Sequence, residues 1–121
     1  MQVSVQNRSV VYGDGAALVP EGLHRADLVD AYPVPSPFGD RVALVFRLVE
    51  GPYAGYELMQ SAAGTRSRRG KLAELLRGFG GTDGTVEAAR QRIGTRGRIA
   101  VRHEVNQTGR IYAAISQTFT T

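Results

Sequence analysis

Cysteine is absent from all 121 residues. That excludes a disulfide framework, a thiolate metal site and cysteine nucleophile chemistry, and it fits a reducing compartment such as the cytoplasm. No apolar stretch approaches the ~20 residues of a membrane-spanning helix, so no membrane partner is expected. The opening residues, MQVSVQNRSVVYGDG, hold no basic region followed by an apolar run, and no secretory leader is expected. Histidine is scarce. His24 and His103 belong to no ligand spacing, so no metal and no cofactor are expected. No serine stands in G-x-S-x-G, the acids are scattered without a proton-sharing pair, and Gly78-Phe79-Gly80-Gly81 lacks the Lys-Ser/Thr ending of a phosphate loop. The reading is non-enzymatic, with no catalytic residue.

What is present suits one globular domain. Apolar residues make up 42% and charged residues 21%, a balance that supports a folded core. Charge is unevenly placed. Residues 1–60 carry four arginines against seven acids, and residues 61–121 carry ten arginines and Lys71 against four acids, leaving the halves at −3 and +7. The gene's base composition can set a preference for Arg over Lys, but not this asymmetry. A strongly basic half points to an anionic partner such as nucleic acid.

Hydrophobic periodicity gives the order of elements. Residues 1–20 read as an arm or edge strand, with Gln2–Gln6 alternating, and residues 21–121 as the domain proper. Gly22 to Tyr32 is a first strand, and Pro33, Pro35 and Pro37 then end the ladder and stiffen a loop with Phe38 at its tip. Arg41 to Glu50 is the clearest strand, with Val42, Leu44, Phe46 and Leu48 on one face. Tyr53 to Ala63 makes a third, bent at Gly55. Ser67 is the expected N-cap of a helix running to about Arg77, whose Leu72, Leu75, Leu76 and Phe79 form one apolar stripe. A shorter helix follows, capped by Asp83 or Thr85, with Val86, Ala89 and Ile93 inward and Gly94 as its stop. Gly97 to Val105 and Arg110 to Phe119 form the last two strands, with Ile99, Val101, His103 and Val105 sharing one face and Ile111, Ala113 and Ile115 inward. Asn106-Gln107-Thr108-Gly109 turns between them. This order predicts a mainly β fold, a five-stranded OB-like barrel with a short helix between the third and fourth strands, an architecture that often binds oligonucleotides.

Candidate contacts follow from charge and aromaticity. Arg66, Arg68, Arg69 and Lys71 cluster at the helix start, where cations are unfavourable unless an anion relieves them; a solvated loop is the equal alternative. Arg41, Arg47, Arg102 and Arg110 add strand and turn cations. Unpaired bases stack on aromatic rings, and Phe38, Tyr53, Tyr56 and Tyr112 lie in loops, near strand ends or on outer faces, whereas Phe46 and Phe79 read as core.

Several short motifs resemble small phage and prophage single-stranded DNA-binding proteins. Pro20-Glu21-Gly22-Leu23-His24-Arg25-Ala26 opens a strand in their manner. Glu50-Gly51-Pro52-Tyr53-Ala54-Gly55-Tyr56 is similar to their E-G-P-[YF]-x-G turn. Lys71-Leu72 with Leu75-Leu76 and Gly80 resembles their helix, and Arg92-Ile93-Gly94 resembles the lead-in to their fourth strand, although Thr95 stands where they usually carry Lys or Arg. The likeness spans about residues 20 to 117. It implies an OB-type barrel that binds single strands in replication or recombination, with no catalytic residue to carry over. The expected partner is single-stranded nucleic acid, DNA ahead of RNA, with little sequence preference. Further copies of the chain and replication or recombination proteins are additional candidates. A protein-interaction or structural module of a phage or mobile element, built on the same barrel, is the alternative.

Overall fold

A computed structural model describes residues 18–37, 39–65 and 69–121. The expected strand at Gln2–Gln6, the Ser67 cap, and Phe38, Arg66 and Arg68 lie outside the described residues. The elements are β1 (Gly22–Val34), β2 (Arg41–Leu48), β3 (Glu57–Ala63), α1 (Lys71–Arg77), α2 (Val86–Gln91), β4 (Arg96–Val105) and β5 (Ile111–Thr120). The strands form one antiparallel sheet in the order β3-β2-β1-β4-β5.

The alternation in β2 sends Val42, Leu44, Phe46 and Leu48 into the core, where Ala26, Leu28 and Ala31 of β1, Leu58 of β3, Ile99 and Val101 of β4 and Ile115 of β5 meet them. β1 keeps phase through a bulge between Leu28 and Asp30, which returns Ala31 to the inner face after the odd residue. β5 does the same with a shift opposite Ala100 and Val101. On the outer face one rung alternates in sign across four strands: Glu57 opposes Arg47, Arg47 opposes Asp27, and Asp27 opposes Arg96. Arg96 grips Asp27 with two bonds, Nε to Oδ1 at 2.7 Å and Nη2 to Oδ2 at 3.2 Å.

The apolar stripe of α1 is fully used. Leu72, Leu75, Leu76 and Phe79 are all buried, and Phe79 tilts against Phe46 at 5.1 Å between ring centroids. Close approach needs Gly97, where a Cβ would stand 2.7 Å from the Gly78 carbonyl and 2.9 Å from the Phe79 ring. The end of α1 is tied to β5 by one hydroxyl. Thr118 Oγ1 accepts from the Gly78 N–H at 3.0 Å and donates to the Leu75 carbonyl at 2.7 Å. Thr85 caps α2, its Oγ1 accepting from the Ala88 N–H, while Asp83 accepts from the Thr85 N–H and hydroxyl.

Several expectations are corrected. The sheet is not a closed barrel: β3 and β5 are its two edges, with no ladder between them among the described residues. Across that seam the Gln60 side-chain oxygen accepts from the Ile115 N–H at 3.1 Å. The first helix follows β3 in the chain but does not lie between the third and fourth strands in space, since β2 and β1 separate them; it packs on β5 and β3. Its N-cap is Gly70, without a side-chain cap. β1 runs on through Pro33, which opposes Val42. β4 pairs only with Gly22–Asp27, so β1 at Pro33 has no ladder partner on its other side, where a missing N–H is tolerated. Residues Tyr53 to Tyr56 are turn rather than strand, because Gly51 and Gly55 adopt φ of 79° and 93° and fold the chain back, with the Gly55 N–H on the Leu48 carbonyl. Ile93 is 42% exposed, because α2 ends at Gln91 and the chain turns before it reaches the buried face.

Candidate nucleic-acid interface

β4 and β5 outrun β1. The last pair of β1 with β4 is Gly22 with Val101, whereas β4 and β5 stay paired to Val105 and Ile111. Their hairpin therefore overhangs the sheet, and the inner-face pattern continues where no core remains: Ile111 is 55% exposed, against the inward expectation, Val105 is 64% exposed, and His103 is exposed too. The turn is rigidly made. Asn106 Oδ1 accepts from the Thr108 N–H, the Thr108 hydroxyl and the Arg110 N–H. At the base of the hairpin the two histidines have structural partners. His103 Nε2 donates to the Val19 carbonyl at 2.8 Å and His24 Nε2 to the Pro20 carbonyl at 2.7 Å.

The overhang leans toward β3 and leaves a cleft of about 500 Å³ over the seam. Arg41, Met59 and Ser61 form one wall, Arg110 and Tyr112 the other, and Gln60 and Ala113 lie at the seam itself. Arg41 is oriented by Ser61, its Nε and Nη2 donating to Oγ at 3.3 Å and to the carbonyl at 3.0 Å. Tyr112 is oriented by the Glu104 carboxylate, which accepts from its hydroxyl at 3.2 Å across the hairpin. Burial, the hydrogen bond and the Glu104 charge all raise the Tyr112 phenol above its ordinary range, because each disfavours the phenolate. The chemistry is that of a binding cleft: two guanidinium groups for anions and a tyrosine ring for stacking or packing. Among the described residues no cluster of acids and histidines could hold a metal ion, and no helix is long and apolar enough to cross a membrane.

Of the candidate residues, Arg41, Arg110 and Tyr112 converge on this cleft. Arg102 is exposed on the outer face of β4, opposite Ala114 and two residues before Glu104 in the strand. Lys71 reaches across the other end of the seam, donating to the Ser116 carbonyl at 2.6 Å, and Arg69 is exposed beside it. Arg47 is away from the cleft and held by Glu57 Oε2, at 2.6 and 3.1 Å. Tyr53 and Tyr56 pack edge-to-face at 5.3 Å and against the core. Met59, Gln60, Ser61 and Asn106 also line the cleft, although neither charge nor an aromatic ring marks them in the sequence. The outward positions of Met59 and Ser61 follow from period two, but the lean of the hairpin over them has no sequence signal. Comparison with known protein families and with curated proteins finds no match.

Proposed function

We propose that this chain is a non-enzymatic, OB-like domain that binds single-stranded nucleic acid, DNA ahead of RNA, with little sequence preference. The observation that supports it is the convergence of Arg41, Arg110 and Tyr112 on the cleft between β3 and the β4–β5 hairpin. The sheet order, with β3 and β5 facing across a seam, suits a partly open five-stranded barrel, and such barrels bind oligonucleotides beside this kind of hairpin. Guanidinium groups would neutralise phosphates while the ring stacks on a base, a combination that is sequence-tolerant. The resemblance to phage and prophage single-strand binders supports the same reading, with a cytoplasmic role in replication or recombination and with copies of the chain or replication proteins as further partners. Phe38, Arg66 and Arg68 remain candidate contacts.

A titration of labelled single-stranded oligonucleotides by fluorescence anisotropy at low and high salt tests it. Binding should weaken steeply with salt. Arg41→Ala with Arg110→Ala should weaken it alike for all sequences and reduce the log–log salt slope by about 0.7 for each phosphate no longer neutralised. Salt-independent binding, or no binding, would refute the proposal. The exposed Val105 and Ile111 on the overhang favour a second reading, a protein-interaction module of a phage or mobile element. It predicts that both oligonucleotides and salt leave the chain unaffected, while Val105→Asp abolishes partner capture.

A further inference from the structure

We infer that a bound single strand does not stop at the cleft but continues along the outer face of β5 to a second stacking position at Phe119; this rests on the single-strand reading above. Tyr112, Ala114, Gln117 and Phe119 share that face, because the shift opposite Ala100 and Val101 keeps the outer residues of β5 against Glu104, Arg102, Ala100 and Arg98 of β4. The path therefore has an aromatic residue at each end. Seven residues of strand at about 3.3 Å each, shortened by the bulge, separate them by roughly 20 Å, the length of about six stacked nucleotides. Between the ends lie Ala114, Gln117 and, on β4, Ala100, and the flanking groups on β4 are the exposed Arg102 and Arg98, with Glu104 opposite Tyr112 at the cleft end.

Phe119 lies where a stacking ring would be useful. It is 39% exposed, although it is a large apolar side chain. It lines a groove of about 390 Å³ with Arg77 and Glu74 of α1, and Arg98 faces it on β4. The rung there differs in charge from its neighbour. Asp27 and Arg96 alternate in sign, but one rung further Arg25 opposes Arg98 directly, a like-charge pairing that destabilises a sheet unless an anion intervenes. Glu50 approaches Arg25 only to 3.9 Å. Glu50 supplies negative charge on the Arg25 side only, and a phosphate seated between Arg25 and Arg98, with its base on Phe119, would supply it on the Arg98 side. The occupant is the same strand that fills the cleft, because both positions lie on one continuous strand of the sheet and both are basic and aromatic.

The test is anisotropy with labelled deoxythymidine oligomers of four and ten residues, on the parent, Tyr112→Ala, Phe119→Ala and Arg98→Gln, each checked for folding by circular dichroism melting. Phe119→Ala should weaken the ten-mer about five-fold or more and change the four-mer less than two-fold, and Arg98→Gln, which removes an exposed charge and one long bond to the Thr120 carbonyl, should flatten the salt slope for the ten-mer alone. Tyr112→Ala should weaken both oligomers. If Phe119→Ala and Arg98→Gln bind the ten-mer as the parent does while Tyr112→Ala does not, the path ends at the cleft and this inference falls with the cleft reading intact. If the parent binds neither oligomer, the single-strand reading falls and this inference with it.

Discussion

Replacing Thr118 by valine keeps the shape of the side chain and removes one oxygen, and that oxygen joins the last turn of α1 to β5. It accepts from the Gly78 N–H and donates to the Leu75 carbonyl. Both belong to the helix C-terminus, where carbonyls have no partner within the helix. Leu75 and Gly78 are buried, so water does not replace the hydroxyl freely. A buried donor or acceptor left unmade costs about 1–3 kcal/mol, and two such groups at a partly open helix end give roughly 2–4 kcal/mol for Thr118→Val. Thr118→Ser keeps both bonds and loses only a methyl, at about 1 kcal/mol. Urea denaturation followed by circular dichroism measures both, and the valine variant should lose midpoint with an unchanged m-value. Hydrogen exchange should speed up most at residues 78 to 81. Equal stability of the two variants would refute the argument, because the methyl rather than the oxygen would then be the group that matters.

Leu75→Ala empties a fully buried position under the sheet and should destabilise by about 2–5 kcal/mol; a change near zero in the same denaturation assay would contradict the packing of α1 against β5 and β3. Tyr112 should ionise later than an ordinary tyrosine. The raised phenol favours the fold fully below the unfolded-state value, and that contribution disappears as pH rises through the folded-state value. Spectrophotometric titration of tyrosinate should show one alkaline group that moves partway down in Glu104→Gln, only partway because burial, the largest single cause, remains. An unchanged titration would refute the Glu104 hydrogen bond.

Elements whose residues obey one period were readable. The alternation Val42, Leu44, Phe46, Leu48 and the stripe Leu72, Leu75, Leu76, Phe79 each have a single interpretation, since only one face can be buried. Elements governed by neighbours were not. Pro33 looks like a strand end until it is known that β4 stops pairing at Asp27. Tyr53 and Tyr56 resemble strand residues, but two glycines with positive φ hold them in a turn. Ile111 and Val105 keep the inward period beyond the point where a core exists, because period reports phase and not the extent of a partner strand. For the candidate interface, Arg41, Arg110 and Tyr112 could be named one by one from charge and ring type. Their meeting depends on the overhang of β4–β5, a tertiary length mismatch. Met59 and Ser61 are ordinary outward residues until the hairpin leans over them.

The strand pairings also divide the molecule by how far apart in the chain their members lie. β1, β2 and β3 form a meander of adjacent strands, and β4 and β5 a hairpin. The two pieces join through six residue pairs, Gly22–Asp27 with Arg96–Val101, whose closing members Asp27 and Arg96 are 69 residues apart. Local hairpins form in about 1–10 μs, whereas this junction must close a long loop before any of its bonds is made. Formation of the native state is therefore expected to wait on β4 docking against β1, and substitutions at Ala26 or Ile99 should slow refolding more than substitutions within either hairpin. A circular permutation that joins the two termini and starts the chain at β4 would shorten that loop and speed the step modestly, because closure cost grows only with the logarithm of loop length.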